Sequence, residues 1–243
     1  MKLYRQTKAK EMNCNTKFLD RISPQEKESL LLNSREISLP TNHQLLFQSD
    51  WGSETFLITA GIAKARSLCL DGSEVIISLM GAGALIGDLA LLSPQPIRSL
   101  DVVALTPLTL LKLRPAALQE AMEVNSKVIH ALACLQAQRL IALGNRLILM
   151  KEDATTRLLS TLLDLARLHS PEDDHQPAIP AIPQHEIAGI AGLSRGTTST
   201  LITKLRSNGT LASNASGELY FASLAPLERR GLLPKPRLEA ASR

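Results

Sequence analysis

The stretch Ile187-Ala188-Gly189-Ile190-Ala191-Gly192-Leu193-Ser194-Arg195-Gly196-Thr197-Thr198-Ser199-Thr200-Leu201-Ile202-Thr203-Lys204-Leu205 decides how the C-terminal third of this 243-residue chain folds. Its first part predicts a short helix over 184–190, with Ile187, Ala188 and Ile190 on one side. Gly192 ends that helix where the chain must turn sharply, because glycine takes the left-handed backbone at no steric cost. Ser194 then caps a second helix over 195–207, with Leu201, Ile202 and Leu205 facing inward. Arg195, Thr197, Thr198, Ser199, Thr200 and Lys204 supply a polar, partly basic N-terminal half. Such a helix start offers its dipole and hydroxyls to phosphates and an arginine to the edge of guanine. Two helices joined this way form a helix-turn-helix whose second helix reads the major groove of double-stranded DNA.

The flanks extend that reading. Beyond Asn208-Gly209, two short strands at 210–213 and 218–222 bracket the polar tip Asn214-Ala215-Ser216-Gly217, which makes a wing. Upstream, Asp153 caps an amphipathic helix over 154–169, with leucines at 158, 159, 162, 163, 165 and 168. A loop at 170–177 leads to the alternation Ala178-Ile179-Pro180-Ala181-Ile182-Pro183, which suits an edge strand that tolerates proline.

Further upstream a long helix is expected over 126–150, after a short one that opens at Arg114-Pro115 and runs to about Val124. Ile129, Leu132, Gln136, Leu140, Leu143, Leu147 and Met150 follow one another at near-heptad steps. A helix of that length spans roughly 37 Å, more than one small domain needs as cover, and its seam predicts a homodimer interface.

The segment 36–113 has a different texture: short apolar runs at 44–48, 54–59, 62–70, 74–80, 99–105 and 108–113, separated by turn residues. Asp71-Gly72 between two of these runs signals a hairpin with a type I′ turn. Many short strands at even spacing imply an antiparallel roll or barrel. Ser23-Pro24-Gln25-Glu26 reads as a capped helix start before it, and residues 1–15 as a polar lead-in. The fold class is therefore α+β: a jelly-roll-like antiparallel β-roll over 16–125, a dimerisation helix over 126–150, and a winged helix-turn-helix over 151–228.

Composition narrows the function classes. Net charge is +4 with a pI near 9.1, compatible with a polyanionic partner. Aromatics are 3% of residues, which argues against stacking on single strands as the main activity. Cys14, Cys69 and Cys134 are odd in number and share no C-x-x-C spacing, so neither a disulfide framework nor a zinc site is expected. The histidines at 43, 130, 169, 175 and 185 leave only His43 near the roll, which excludes a cupin-like metal enzyme; no nucleophile–base arrangement has plausible spacing either. No apolar run reaches the ~18–20 residues of a membrane span and residues 1–10 are polar, so the expected location is cytoplasmic and no membrane partner is expected.

Taken together, the chain from about Leu45 to Ala222 resembles the CRP/FNR family of bacterial transcription regulators. The resemblance rests on the strand–turn pattern, the long helix, and Ile187-Ala188-Gly189-Ile190-Ala191-Gly192-Leu193-Ser194-Arg195. It also includes Ile86-Gly87-Asp88-Leu89-Ala90-Leu91-Leu92 followed by Ile97-Arg98-Ser99, matching a phosphate cassette whose arginine stands ten residues past the acid (98 − 88 = 10). The family resemblance implies that Gly87, Asp88, Leu89, Arg98 and Ser99 bind an effector, cyclic AMP or another small anion. In that reading Arg98 neutralises the phosphate and Asp88 meets the ribose. Arg139 on the long helix matches the arginine that reaches back to the cassette. Ser194, Arg195, Thr197, Thr200 and Lys204 are the implied DNA contacts. RNA polymerase is an implied partner, with the acidic loop 172–174 a candidate contact.

The chain departs from the family pattern at several points. Asp88 is one methylene shorter than the usual glutamate, and Leu143-Gly144 stand where the family places Thr-Ser against adenine. Gly196 and Thr200 replace the usual Glu and second Arg of the reading helix, and the iron–sulfur cysteine cluster is missing. These departures leave open a regulator whose pocket no longer takes cyclic nucleotide and which works through protein contacts.

Overall fold

Antiparallel pairing gathers the strands of the N-terminal half into a roll, as the even spacing of the apolar runs requires. The computed structural model describes residues 17–114, 116–170 and 178–233. Expectations for the lead-in 1–15 with Cys14, for Pro115, for the loop 171–177 with its acidic residues, and for the tail beyond Leu233 lie outside those residues. The chain divides into two compact units between Ile148 and Leu149.

In the first unit, β1 (Arg35–Leu39), β3 (Phe56–Ala60), β6 (Leu85–Ile86) and β8 (Leu108–Lys112) form one sheet in the order β1-β8-β3-β6. The other sheet comprises β2 (Gln44–Leu46), β4 (Ala63–Leu68), β5 (Glu74–Met80) and β7 (Asp101–Ala104), in the order β2-β7-β4-β5. Successive side chains of β3 point to opposite faces and enter different cores. Phe56 and Ile58 pack between the sheets with Ala63, Val102, Leu108 and Leu110. Leu57 packs outside, with Leu85 and Leu113, against Leu30 of α1 (Pro24–Leu31), Leu118 of α3 (Ala117–Val124) and Val128 and Leu132 of α4 (Ser126–Leu149). Each such side chain taken out of water contributes about 1.5–3 kcal/mol before chain entropy is charged against it. Ser23 and Glu26 close a reciprocal capping box at the start of α1.

Several boundaries differ from the sequence reading. The strand expected over 62–70 stops at Leu68, and the one expected over 99–105 is Asp101–Ala104. β1 and β6 were not anticipated: β1 leaves Arg35, Glu36 and Ser38 exposed, and β6 has only 2 residues, too few to show a period. The Asp71-Gly72 hairpin forms without a type I′ turn. Only Gly72 has a positive φ, 78°, and its N–H donates to the Cys69 carbonyl at 2.9 Å, a turn followed by a left-handed glycine. The seam of α4 changes character along its length. Leu132 is buried in the roll and Gln136 bonds to the roll, whereas Leu140 and Leu147, on the same line, are exposed.

The second unit is built from α5 (Ala154–His169), α6 (Gln184–Ala191), α7 (Arg195–Ser207), α8 (Ala225–Arg229) and a sheet ordered β10 (Leu211–Ser213)–β11 (Leu219–Phe221)–β9 (Ala178–Ile179). Asp153 caps α5, accepting from the N–H groups of Thr155 and Thr156. Gly192 has φ 63°, so the turn between α6 and α7 favours glycine, and a Cβ there would also lie 3.1 Å from Met150 Sδ. The hairpin β10–β11 is the wing read from the sequence.

Candidate functional site

The cassette lies where β6 ends. Gly87, with φ 86°, breaks the strand and starts α2 (Asp88–Leu92). A Cβ at Gly87 would fall 2.3 Å from the Glu54 carbonyl and 2.7 Å from Arg98 Nη1, so only glycine lets these groups meet. Asp88, 2% exposed, is directed at α4: Gln136 Nε2 donates to Oδ2 at 2.6 Å, and Arg139 Nη1 donates to Oδ1 and Oδ2 at 3.0 and 2.7 Å. Arg139 Nη2 also donates to the Leu85 carbonyl at 2.5 Å. Both carboxylate oxygens therefore have charge-assisted partners, which is how a buried acid is tolerated.

Arg98, 5% exposed, is buried beside this group. Its Nη1 donates to the Gly87 carbonyl at 3.1 Å, and its Nη2 to the Glu54 carbonyl at 2.8 Å and to Glu54 Oε2 at 3.2 Å. Lys112 Nζ lies 3.8 Å from Glu54 Oε1. Glu54's own backbone N–H, then the charges of Lys112 and Arg98, hold its carboxyl below the ordinary glutamate value against the opposing effect of burial. Ser99 and Leu89 are exposed. Sequence reading brought Gly87, Asp88, Arg98 and Arg139 to one place and missed Glu54 and Gln136. Leu143 is exposed on α4, and nothing lies within 4 Å of a Cβ at Gly144.

In the second unit, Ser194 Oγ accepts from the Thr197 N–H at 3.1 Å and lies 2.8 Å from Thr197 Oγ1, which fixes both hydroxyls at the start of α7. Arg195, Gly196, Ser199, Thr200 and Thr203 are exposed, while Thr198, Ile202 and Leu205 are buried. Leu201, expected inside, is half-buried and lines a groove of about 360 Å³ with Lys204, Asn208, Arg229 and Arg230. Lys204 thus stands with Arg229 and Arg230 in a cationic groove, a grouping that sequence spacing could not reveal. Among the described residues no cluster of His, Cys, Asp or Glu could hold a metal ion. No helix among them is long and apolar enough to cross a membrane.

Residues 36–125 match the cyclic nucleotide-binding domain family. The cyclic AMP receptor protein of Thermus thermophilus is 29% identical over 189 residues, 77% of this chain and 84% of that protein. Among solved structures, FixK2 from Bradyrhizobium japonicum superposes with a TM-score of 0.71 at 18% identity, covering 86% of this chain and 99% of its own. The c-di-GMP responsive global regulator CLP of Xanthomonas campestris gives 0.65 at 20% identity, covering 82% and 99%.

Proposed function

We propose that this chain is a homodimeric DNA-binding transcription regulator of the CRP/FNR kind, whose affinity for its operator is set by a small anionic effector, with cyclic AMP the first candidate. The observation that carries this reading is the grip of Gln136 and Arg139 on Asp88. One helix both closes the cassette and continues into the exposed apolar line Leu140, Leu143 and Leu147. An anion held by Arg98 and the backbone near Gly87 and Ser99 acts on the loop that α4 grips, so occupancy is felt along the dimer seam.

In this reading effector sensing lies over 16–125, the dimerisation helix over 126–150 and DNA binding over 151–228. Arg195 reads a base edge, Ser194, Thr197 and Thr200 meet the adjacent backbone, and Lys204, flanked by Arg229 and Arg230, meets a further phosphate. The cell compartment is the cytoplasm and RNA polymerase is the downstream partner. The test is operator selection with and without cyclic AMP, repeated with R195A and R98A. R195A is expected to cost about 1–3 kcal/mol and to relax one base position. R98A is expected to abolish the effector's influence while leaving ligand-free DNA binding intact. Equal affinity for all sequences would overturn the DNA-reading assignment.

Leu143 and Gly144 favour one variation, in which the effector is not an adenine nucleotide. Neither side chain hydrogen-bonds, so an adenine amine placed there would lose its water without gaining a partner.

A further inference from the structure

Arg98 is not an open cation awaiting a phosphate. Its buried guanidinium is already neutralised from within the chain by Glu54, whose side chain is 44% exposed and so can move into water. A carboxylate and a phosphate oxygen make the same demand on a guanidinium: an acceptor along its N–H directions. We propose that Glu54 is a resident competitor at the effector site, an internal anion that an incoming phosphate must displace from Arg98, and that it thereby decides which ligands the cassette accepts. The inference rests on the effector reading above and concerns how that site is regulated.

Three features support it. Glu54 has a second position within reach, because Lys112 Nζ is 3.8 Å from its other oxygen and Lys112 is partly exposed. On release from Arg98 the carboxylate keeps a cation and gains water, so displacement does not strand a buried charge. Arg98 does not lose all its partners either, because the carbonyls of Gly87 and Glu54 still accept from it. Finally, Gly52 keeps the meeting point clear: a Cβ there would lie 2.8 Å from Glu54 Oε2 and 3.1 Å from Arg98 Nη2.

The selectivity follows from exchange. A neutral ligand has nothing to offer Arg98 in return for the lost carboxylate and stays out. An anion binds only by the margin over Glu54, so weak oxyanions are rejected and a cyclic phosphate with further contacts is accepted.

The test is calorimetric titration of the full chain with cyclic AMP, comparing wild type with E54Q, K112M, the double variant and R98A, each checked for fold by circular dichroism. E54Q is expected to bind at least tenfold tighter than wild type. K112M is expected to bind more weakly, because Glu54 then has no second cation, and this effect should disappear in the E54Q background. Affinity unchanged in E54Q, with binding still lost in R98A, would overturn the competition and leave the effector reading standing. No heat with E54Q would overturn Glu54 as the group that bars cyclic AMP from Arg98, and with it cyclic AMP as the effector.

Discussion

Arg139 Nη1 lies 2.7 Å from Asp88 Oδ2, so a cation on the long helix holds a carboxylate that is itself only 2% exposed. The pair is asymmetric: the Arg139 side chain is 34% exposed and can be rehydrated, whereas Asp88 cannot. Removing the arginine leaves a buried charge with Gln136 as its only remaining side-chain partner among the described bonds. R139A is therefore expected to destabilise the first unit by about 1–3 kcal/mol, and D88N by less, because an amide needs no counter-charge. Urea denaturation of both and of the double variant gives the coupling. Additive effects would mean that the two groups do not depend on each other.

Beyond the cassette, α4 leaves Leu140, Leu147 and Ile148 exposed at 71, 65 and 66%. A row of leucines and isoleucine this open costs solubility unless a second copy covers it. The expected outcome is a dimer at micromolar concentration in sedimentation velocity, and a folded monomer for L140E/L147E. Dimeric L140E/L147E, or a monomeric wild type, would move the interface elsewhere.

These two features show where sequence reading succeeds and where it stops. Gly192 and Ser194 were legible because a left-handed turn and a helix cap are local demands, and only a few residue types meet them. Asp88, Arg98 and Arg139 were legible through spacing that resembles a known family. Glu54 was not, because its carboxylate meets Arg98 across 44 residues of sequence and nothing around it forms a pattern. The same limit affects Gln136. On periodicity it belongs to the line of Leu132 and Leu140, and only the position of α2, 48 residues upstream, turns it towards Asp88. Periodicity gives the face of a helix; tertiary neighbours decide what that face meets.

Asp153 gives a prediction with a pH signature. Its carboxylate accepts from Thr156 Oγ1 at 2.7 Å and from the N–H groups of Thr155 and Thr156 at 2.9 and 3.0 Å. These bonds, the Thr156 hydroxyl first, hold its carboxyl below the ordinary aspartate value. For an acid depressed in the folded state, the stabilisation is complete above the unfolded value, about 3.9, and is lost as pH falls through the folded value. D153A is expected to cost about 1 kcal/mol at neutral pH, with the difference from wild type shrinking below pH ~4. D153N is expected to keep most of the cap and lose most of the pH dependence. A D153A deficit that is constant from pH 7 to 3 would show that the ionised carboxylate contributes nothing special.

Thr198 is the one polar side chain on the inward face of α7, fully buried at 0% exposure between Ser194 and Ile202. Its hydroxyl has no hydrogen-bond partner in the described structure, so the side chain loses its hydration and gains nothing in return. Valine has nearly the same shape and a similar helix propensity, and it removes the orphaned oxygen. T198V is accordingly expected to raise the stability of the second unit by about 1 kcal/mol, and T198S to lower it, since serine keeps the hydroxyl and deletes a buried methyl. DNA affinity should be unchanged in T198V, because Arg195, Thr200 and Lys204 lie on exposed positions of the helix. Equilibrium unfolding in urea distinguishes the outcomes. Loss of stability in T198V would mean that the hydroxyl finds a hydrogen-bond partner in solution and is not orphaned.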